Sequence, residues 1–228
     1  EAGAFCGFDL AHGAGNIELH LHDWKVDFAC WCNYKYLNSG PGAVGAAYIH
    51  KRYHKDTTLN RLAGWWGYIK ETRFQMQKGF VPVDNAEGWQ LSTPSPILYA
   101  AHQAALDIFE KAGFENILLK AKQLSAYLFY ILKEINKKLE KPLLKILTPE
   151  NEAQHGCQVS ILMLQNGRAV FDALTQKGVF ADWREPNVIR IAPVPLYNTF
   201  EEVYQFGQYL LEACKAEAIK NNSQKVSN

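Results

Sequence analysis

The residues with the most chemical promise lie within the first forty. Asp9-Leu10-Ala11-His12 closes the apolar run over residues 4–9, and Asp27-Phe28-Ala29-Cys30-Trp31-Cys32 leads into Asn33-Tyr34-Lys35-Tyr36. In open parallel sheets ligands gather at the carboxyl ends of strands. A carboxylate there, with a histidine three residues on, is a plausible cofactor grip. Taken singly, Asp9 is as well explained as a capping residue, and Lys35 as a surface lysine past a strand end. The pair is more specific. An acid at one strand end and an amine after the following strand suit pyridoxal 5'-phosphate (PLP). The acid keeps the pyridine nitrogen protonated so that the ring accepts electrons, and the lysine forms the Schiff base. A lysine desolvated beside a cationic ring is also a better nucleophile and base than a free one.

The elements that must position these groups are read from periodicity. Residues 4–9 read as a strand, 15–24 as a short helix and 27–32 as a second strand. Strand, helix, strand is a crossover unit and implies parallel pairing. A third strand is expected over 44–50, after the turn Gly40-Pro41-Gly42, which lacks the Lys-Ser/Thr of a P-loop. Residues 54–95 are irregular, and a loop region this long is more often functional than idle. Helices are expected over 97–111 and 113–139, the second amphipathic, with strands at 156–164 and 187–192. Further helices are expected at 168–177 and from 199 to about 218, followed by a polar, frayed tail. A boundary near residue 97 divides the chain into residues 1–97 and 98–228.

Composition limits the function classes. Of 228 residues, 24 are Lys or Arg and 23 Asp or Glu, for a formal charge of +1. That balance argues against a nucleic-acid binder acting by bulk charge. With 48% hydrophobic residues, the chain can bury a core and is not an acidic disordered segment. No apolar run approaches the roughly 20 residues that span a bilayer, and no secretory signal pattern opens the chain. Five irregularly spaced cysteines fit free thiols and a cytoplasmic setting. His20 and His22 alternate as metal ligands do, but no cluster completes a site, so no metal is expected. The chain opens without Met on a strand-like run, and is expected to be the C-terminal portion of a longer polypeptide.

Several further motifs, in order, carry a resemblance. These are Gly13-Ala14-Gly15-Asn16, His22-Asp23-Trp24, Tyr34-Lys35-Tyr36-Leu37-Asn38, Gly64-Trp65-Trp66-Gly67, Thr72-Arg73-Phe74, Ser92-Thr93-Pro94 and Arg190-Ile191-Ala192-Pro193-Val194-Pro195-Leu196-Tyr197-Asn198. Together with the Asp9 and Lys35 segments they resemble kynureninase, a family of PLP-dependent hydrolases of fold type I. The resemblance implies an α/β chain: the C-terminal part of a PLP-binding large domain with a mostly parallel sheet, then a smaller α+β domain. It also implies a homodimer with the active site at the subunit interface.

By this resemblance Lys35 matches the Schiff-base lysine, and Asp9 the partner of the pyridine nitrogen. His12 sits at the cofactor, and Tyr34 is a phosphate contact implicated in proton transfer. Trp65 and Thr93 match phosphate contacts reaching from the second subunit, and Arg190 the clamp on the substrate α-carboxylate. Each has a plainer reading from type alone: Trp65 as a core aromatic, Thr93 before Pro94 as turn chemistry, Arg190 as the partner of a local carboxylate such as Glu185. The implied reaction is hydrolysis of the Cβ–Cγ bond of kynurenine or 3-hydroxykynurenine, giving alanine with anthranilate or 3-hydroxyanthranilate. Two other readings stand beside it. One is a catalytically silent fragment without the phosphate cup. The other is a different fold type I enzyme, an aminotransferase or a cysteine desulfurase; Tyr34 argues against the latter, which usually has His before the lysine.

Overall fold

The computed structural model describes residues 2–226, and of residues 220–226 the helical backbone alone. The chain forms two compact units, Glu1–Ala112 and Gly113–Asn228. The division falls later than residue 97, because the helix Pro96–Ala112 (α1) stays with the first unit. Gly113, with a φ of 78°, ends the helical path at the division.

The first unit is built on a three-stranded sheet ordered β1-β2-β3, from Gly7–Asp9 (β1), Phe28–Cys32 (β2) and Gly45–Ile49 (β3). β1 and β2 run parallel, with Asp9 opposite Cys30, and β3 returns antiparallel. Side chains alternate between faces along a strand. On one face Ala29 packs with Leu21 and Val26, joined by Leu10, Trp31 and Tyr48. The other face presents Phe28, Cys30 and Asp9 to solvent, and Phe28 remains 47% exposed. The crossover is parallel, as its spacing implies, but residues 15–24 form hydrogen-bonded turns rather than a helix. Gly15 adopts a φ of 79°, which an α-helix does not accommodate.

Asp27 ties this sheet together. Its buried carboxylate accepts from the Cys6 N–H at 2.6 Å, the Tyr53 hydroxyl at 2.5 Å and the Arg52 guanidinium. Those hydrogen bonds, led by Tyr53 and followed by Cys6 and Arg52, hold its pKa down at about 2. The lead into β1 and the 3-10 turn Lys51–Tyr53 after β3 are thus pinned to the start of β2. The long stretch after residue 54 stays irregular, with 3-10 turns at Arg73–Gln75 and Ala86–Trp89 and a bridge between Tyr68 and Pro82.

The second unit packs helices on an antiparallel sheet. The strands Leu144–Ile146 (β4), Val159–Met163 (β5), Asp182–Arg184 (β6) and Val188–Ile191 (β7) take the order β4-β5-β7-β6. The helices are Phe114–Lys137 (α2), Gly167–Gln176 (α3) and Phe200–Val226 (α4). Leu124, Leu128 and Leu132 recur every fourth residue of α2 and are wholly buried with Val159, Ile161 and Ile189. α4 lies so close to α2 that a Cβ at Gly207 would stand 2.4 Å from Ile131. The strands β4 and β6 have no counterpart in the sequence expectation; at three residues each, they are too short to show a period. α4 runs past residue 218, and residues 227 and 228 of the expected tail lie outside the described residues.

Candidate active site

The parallel pairing of β1 and β2 brings the carboxyl ends of both strands to one edge. At the end of β1, the Asp9 Oδ1 accepts the Ala11 N–H at 2.9 Å. Leu10 O then accepts the N–H groups of Gly13 and Ala14, and the resulting turn presents His12 to solvent. Beyond β2, residues 33–39 close a loop through Ser39 N–H to Asn33 O at 3.1 Å and Asn38 N–H to Lys35 O at 3.0 Å. Buried Ser39 fixes this loop to α1, its Oγ lying 2.7 Å from His102 Nδ1. The half-buried Lys35 extends across to the first turn, its Nζ 3.2 Å from His12 Nε2. An acid, an imidazole and a primary amine therefore share one strand edge.

Tyr34 stands beside Lys35, whose Nζ is 5.9 Å from the phenol ring centroid. Its hydroxyl is pushed above the ordinary 10.0, first by a hydrogen bond with the Cys32 side chain and then by charge on that thiol. A phenol is in any case protonated at neutral pH and suited to donate. The direction of this shift favours the acid over the base.

Trp65 and Thr93 lie on two neighbouring segments of the long loop region. A Cβ at Gly64 would meet the Leu91 Cα at 2.3 Å, and Gly67 donates its N–H to Gln90 O at 3.0 Å. Only glycine allows the two backbones to approach so closely. Trp65 is 45% exposed, not a core aromatic, and packs edge-on to Phe74 at 5.2 Å. Thr93 is exposed. Among the described residues, the ring contacts of Trp65 run to Arg73 and Phe74.

Arg190 belongs to the second unit. It lies on β7 directly opposite Asp182 on β6, and its Nε donates to Asp182 Oδ2 at 2.5 Å while Nη2 reaches the same oxygen. The local carboxylate is thus Asp182 and not Glu185, which instead accepts from Trp183 Nε1 at 2.8 Å. Register decides this, since Asp182 pairs across the ladder while Glu185 sits in the turn between the strands. Arg190 keeps a side-chain exposure of 24%. Just beyond it, Ile191 to Pro193, Tyr197 and Asn198 line a cavity of about 470 Å³ with residues of α4. Burial pushes the Tyr197 hydroxyl up. Among the described residues no group of three or more His, Cys, Asp or Glu side chains is placed to hold a metal ion.

Asp27, Arg73, His102 and Asp182 all support these groups, and none was read from the sequence as a support. Arg73 lies in a quoted motif, but residue type alone gave no sign that it is buried.

This architecture defines the class first. It is the fold of the C-terminal part of PLP fold type I enzymes. The chain is similar to the cystine C–S lyase C-DES, solved with glycine covalently linked to its PLP cofactor, at a TM-score of 0.69 and 21% identity. That match covers 87% of this chain and 49% of the other. It is also similar to the cysteine desulfurase CsdA of Escherichia coli, at a TM-score of 0.72 and 15% identity over 95% of this chain and 53% of that one. These likenesses speak to the fold alone. The sequence narrows the class. Residues 117–210 match the kynureninase C-terminal domain. Over 210 residues the chain is 51% identical to the kynureninase of Flavobacterium psychrophilum, a match covering 92% of this chain and 49% of the relative. The chain belongs to the kynureninase family. It spans about half the length of the curated relatives it matches.

Proposed function

We propose that this chain supplies the lysine-bearing half of a PLP-dependent hydrolase. The enzyme cleaves the Cβ–Cγ bond of L-kynurenine or 3-hydroxykynurenine, releasing L-alanine with anthranilate or 3-hydroxyanthranilate. The observation that carries the reading is the edge shared by Asp9, His12 and Lys35, with the lysine 3.2 Å from the imidazole. The donor set fits PLP: a carboxylate for the pyridinium, an amine for the aldehyde, and loop residues for the phosphate. When bound, the cofactor supplies an electron sink that stabilises negative charge on the substrate's α-carbon.

The chain's own residues perform the rest. Asp9 keeps the ring nitrogen charged. Lys35 anchors the cofactor and, once freed by the substrate amine, takes the α-proton, with His12 holding its Nζ. Tyr34, protonated at neutral pH, gives its proton to the γ-carbonyl oxygen as water adds there, and its phenolate takes the proton that the water loses. Arg190 receives the substrate carboxylate on its planar fork, in exchange for or alongside Asp182. Trp65 and Thr93 hold the phosphate from the second subunit of a homodimer. The exposed Trp65, Phe74 and Met76 favour such a covered surface. Among the described residues no helix is long and apolar enough to cross a membrane. Free cysteines throughout support placing the enzyme in the cytoplasm, in tryptophan catabolism leading to NAD biosynthesis.

The test is spectroscopic first. Adding PLP to the protein is expected to give a visible absorbance band that Lys35→Ala abolishes, after which kynurenine yields the fluorescence of anthranilate. A band that survives Lys35→Ala, or no band at all, sinks the assignment.

A further inference from the structure

Arg73 is the least explained cation in the first unit. Its side chain is only 8% exposed, and among the described residues no carboxylate lies within ion-pair reach of it. A buried guanidinium without an acid is costly unless something else receives its charge. Here two kinds of group do. Nη2 donates to the Trp66 carbonyl at 3.1 Å and to the Tyr68 carbonyl at 2.7 Å. The guanidinium carbon lies 5.5 Å from the Trp65 ring centroid and 5.3 Å from that of Trp66, within the range of cation–π attraction. The next residue, Phe74, meets the Trp65 ring edge-on.

The loop so held has little else to shape it. Residues 64–68 belong to no strand or helix, and their backbone ties are Gly67 N–H to Gln90 O and Val83 N–H to Gly67 O, with Ile69 N–H to Val81 O just beyond. These fix the path of the backbone on the side of Val83 and Gln90. They do not determine where the two indoles point. Arg73 does both tasks from one group, its Nη2 holding two carbonyls and its guanidinium carbon within 5.5 Å of two ring centroids. A lysine ammonium is compact and cannot match that arrangement. Its Nε is buried without a hydrogen-bond partner, and carbonyls and indoles receive the charge without cancelling it. A positive charge behind Trp65 has the right sign for a loop that meets a phosphate.

We propose that Arg73 is the positioning residue of the Gly64–Tyr68 loop, holding the Trp65 indole in the orientation that receives the cofactor phosphate. The inference rests on the reading of Trp65 given under Proposed function. Its test separates the two.

In the protein, Arg73→Met, Arg73→Lys, Trp65→Ala and the double variant Trp65→Ala/Arg73→Met are compared by hydrogen exchange and by PLP titration. Arg73→Met is expected to speed exchange at Gly67 and Ile69 by about tenfold or more while the amides of α2 are unchanged. It is also expected to weaken PLP binding by about tenfold. Arg73→Lys falls between wild type and Arg73→Met on both measures. On the Trp65→Ala background, Arg73→Met costs no further PLP affinity, because what it positions is gone. Unchanged exchange at Gly67 and Ile69 overturns the proposal, as does an equal loss of PLP affinity with and without Trp65. If Arg73→Met also loosens α2, Arg73→Lys decides by the same two criteria. If wild type takes up no PLP, the cofactor reading fails, and the exchange at Gly67 and Ile69 still judges Arg73.

Discussion

The two units hold themselves together in different ways. The second has a dry interior in which Leu124, Leu128, Leu132, Val159, Ile161, Ile189 and Leu210 have lost all contact with water. The first has a small apolar cluster of Leu21, Val26 and Ala29. Its other buried groups include Asp27, Asn33, Ser39, His50 and Arg73, and Phe5, Phe28, Trp65, Phe74 and Met76 are left exposed. Apolar burial is non-directional and tolerant of small shifts. Polar ties are directional and strong only while both partners are present and correctly charged. The unit that carries Asp9, His12, Tyr34 and Lys35 is thus fixed by groups that also fix direction, as aligning an amine and an acid requires. The second unit, with its larger apolar core, contributes a strand-borne arginine.

The contrast breaks most visibly in the second unit's core. Leu132→Ala removes a fully buried side chain between α2, the sheet and α4, and is expected to destabilise that unit by about 2–5 kcal/mol. Leu21→Ala, in the small cluster of the first unit, is expected to cost less than half as much. Urea unfolding resolved by hydrogen exchange at α2 and β2 measures both, and equal losses would erase the distinction drawn between the cores.

Asp27→Asn should do what no apolar truncation does in the first unit, making the loss depend on pH. The folded carboxyl is held at about 2, against an ordinary 3.8. Its contribution is therefore fully present above pH 3.8 and disappears as pH falls toward 2. The gap between wild type and Asp27→Asn is expected to be widest near neutrality and to narrow across that window. Unfolding midpoints at a series of pH values test this, and a gap independent of pH would show that Asp27 acts through packing alone.

What the sequence disclosed divides along the same line. The second unit announces itself through period: α2 repeats leucines at four-residue spacing, and β5 alternates buried and half-buried residues. In the first unit the strands and the parallel pairing of β1 with β2 were legible, since Phe28–Cys32 is apolar and bounded by turns; the antiparallel return of β3, against an expected mostly parallel sheet, was not. The expected helix over 15–24 was not borne out, because period cannot register that Gly15 turns back through positive φ. The residues proposed to carry the chemistry stand out by type and by resemblance. Their supports do not. Nothing in the letters shows that Asp182 lies across a ladder from Arg190, that Arg73 is buried against two indoles, or that Ser39 meets His102. Those facts depend on register and on loop closure, which bring together residues far apart in the chain. A support becomes visible only when the backbone path is known.

The smallest expected effect sharpens the comparison furthest, since it asks whether a single imidazole gives one unit a pH response that the other lacks. His50 follows β3 with its ring buried, its Nδ1 accepting the Arg52 N–H at 3.2 Å and its face stacked on His22 at 4.9 Å. Burial first, then the charges of Arg52, His22 and Lys51, lower its pKa below the ordinary 6.5, outweighing a backbone hydrogen bond to His22 that raises it. The folded ring thus resists a proton that the unfolded chain accepts near 6.5. Stability from His50 is complete above that value and declines as pH drops below it, because only the unfolded state gains the proton. Exchange at the β3 amides is expected to accelerate between about pH 7 and 5, after correction for the intrinsic rate, and His50→Gln to flatten that slope. The amides of α2 serve as the reference within the same molecule. A slope common to β3 and α2, or one that His50→Gln leaves intact, would assign the titration to a different group.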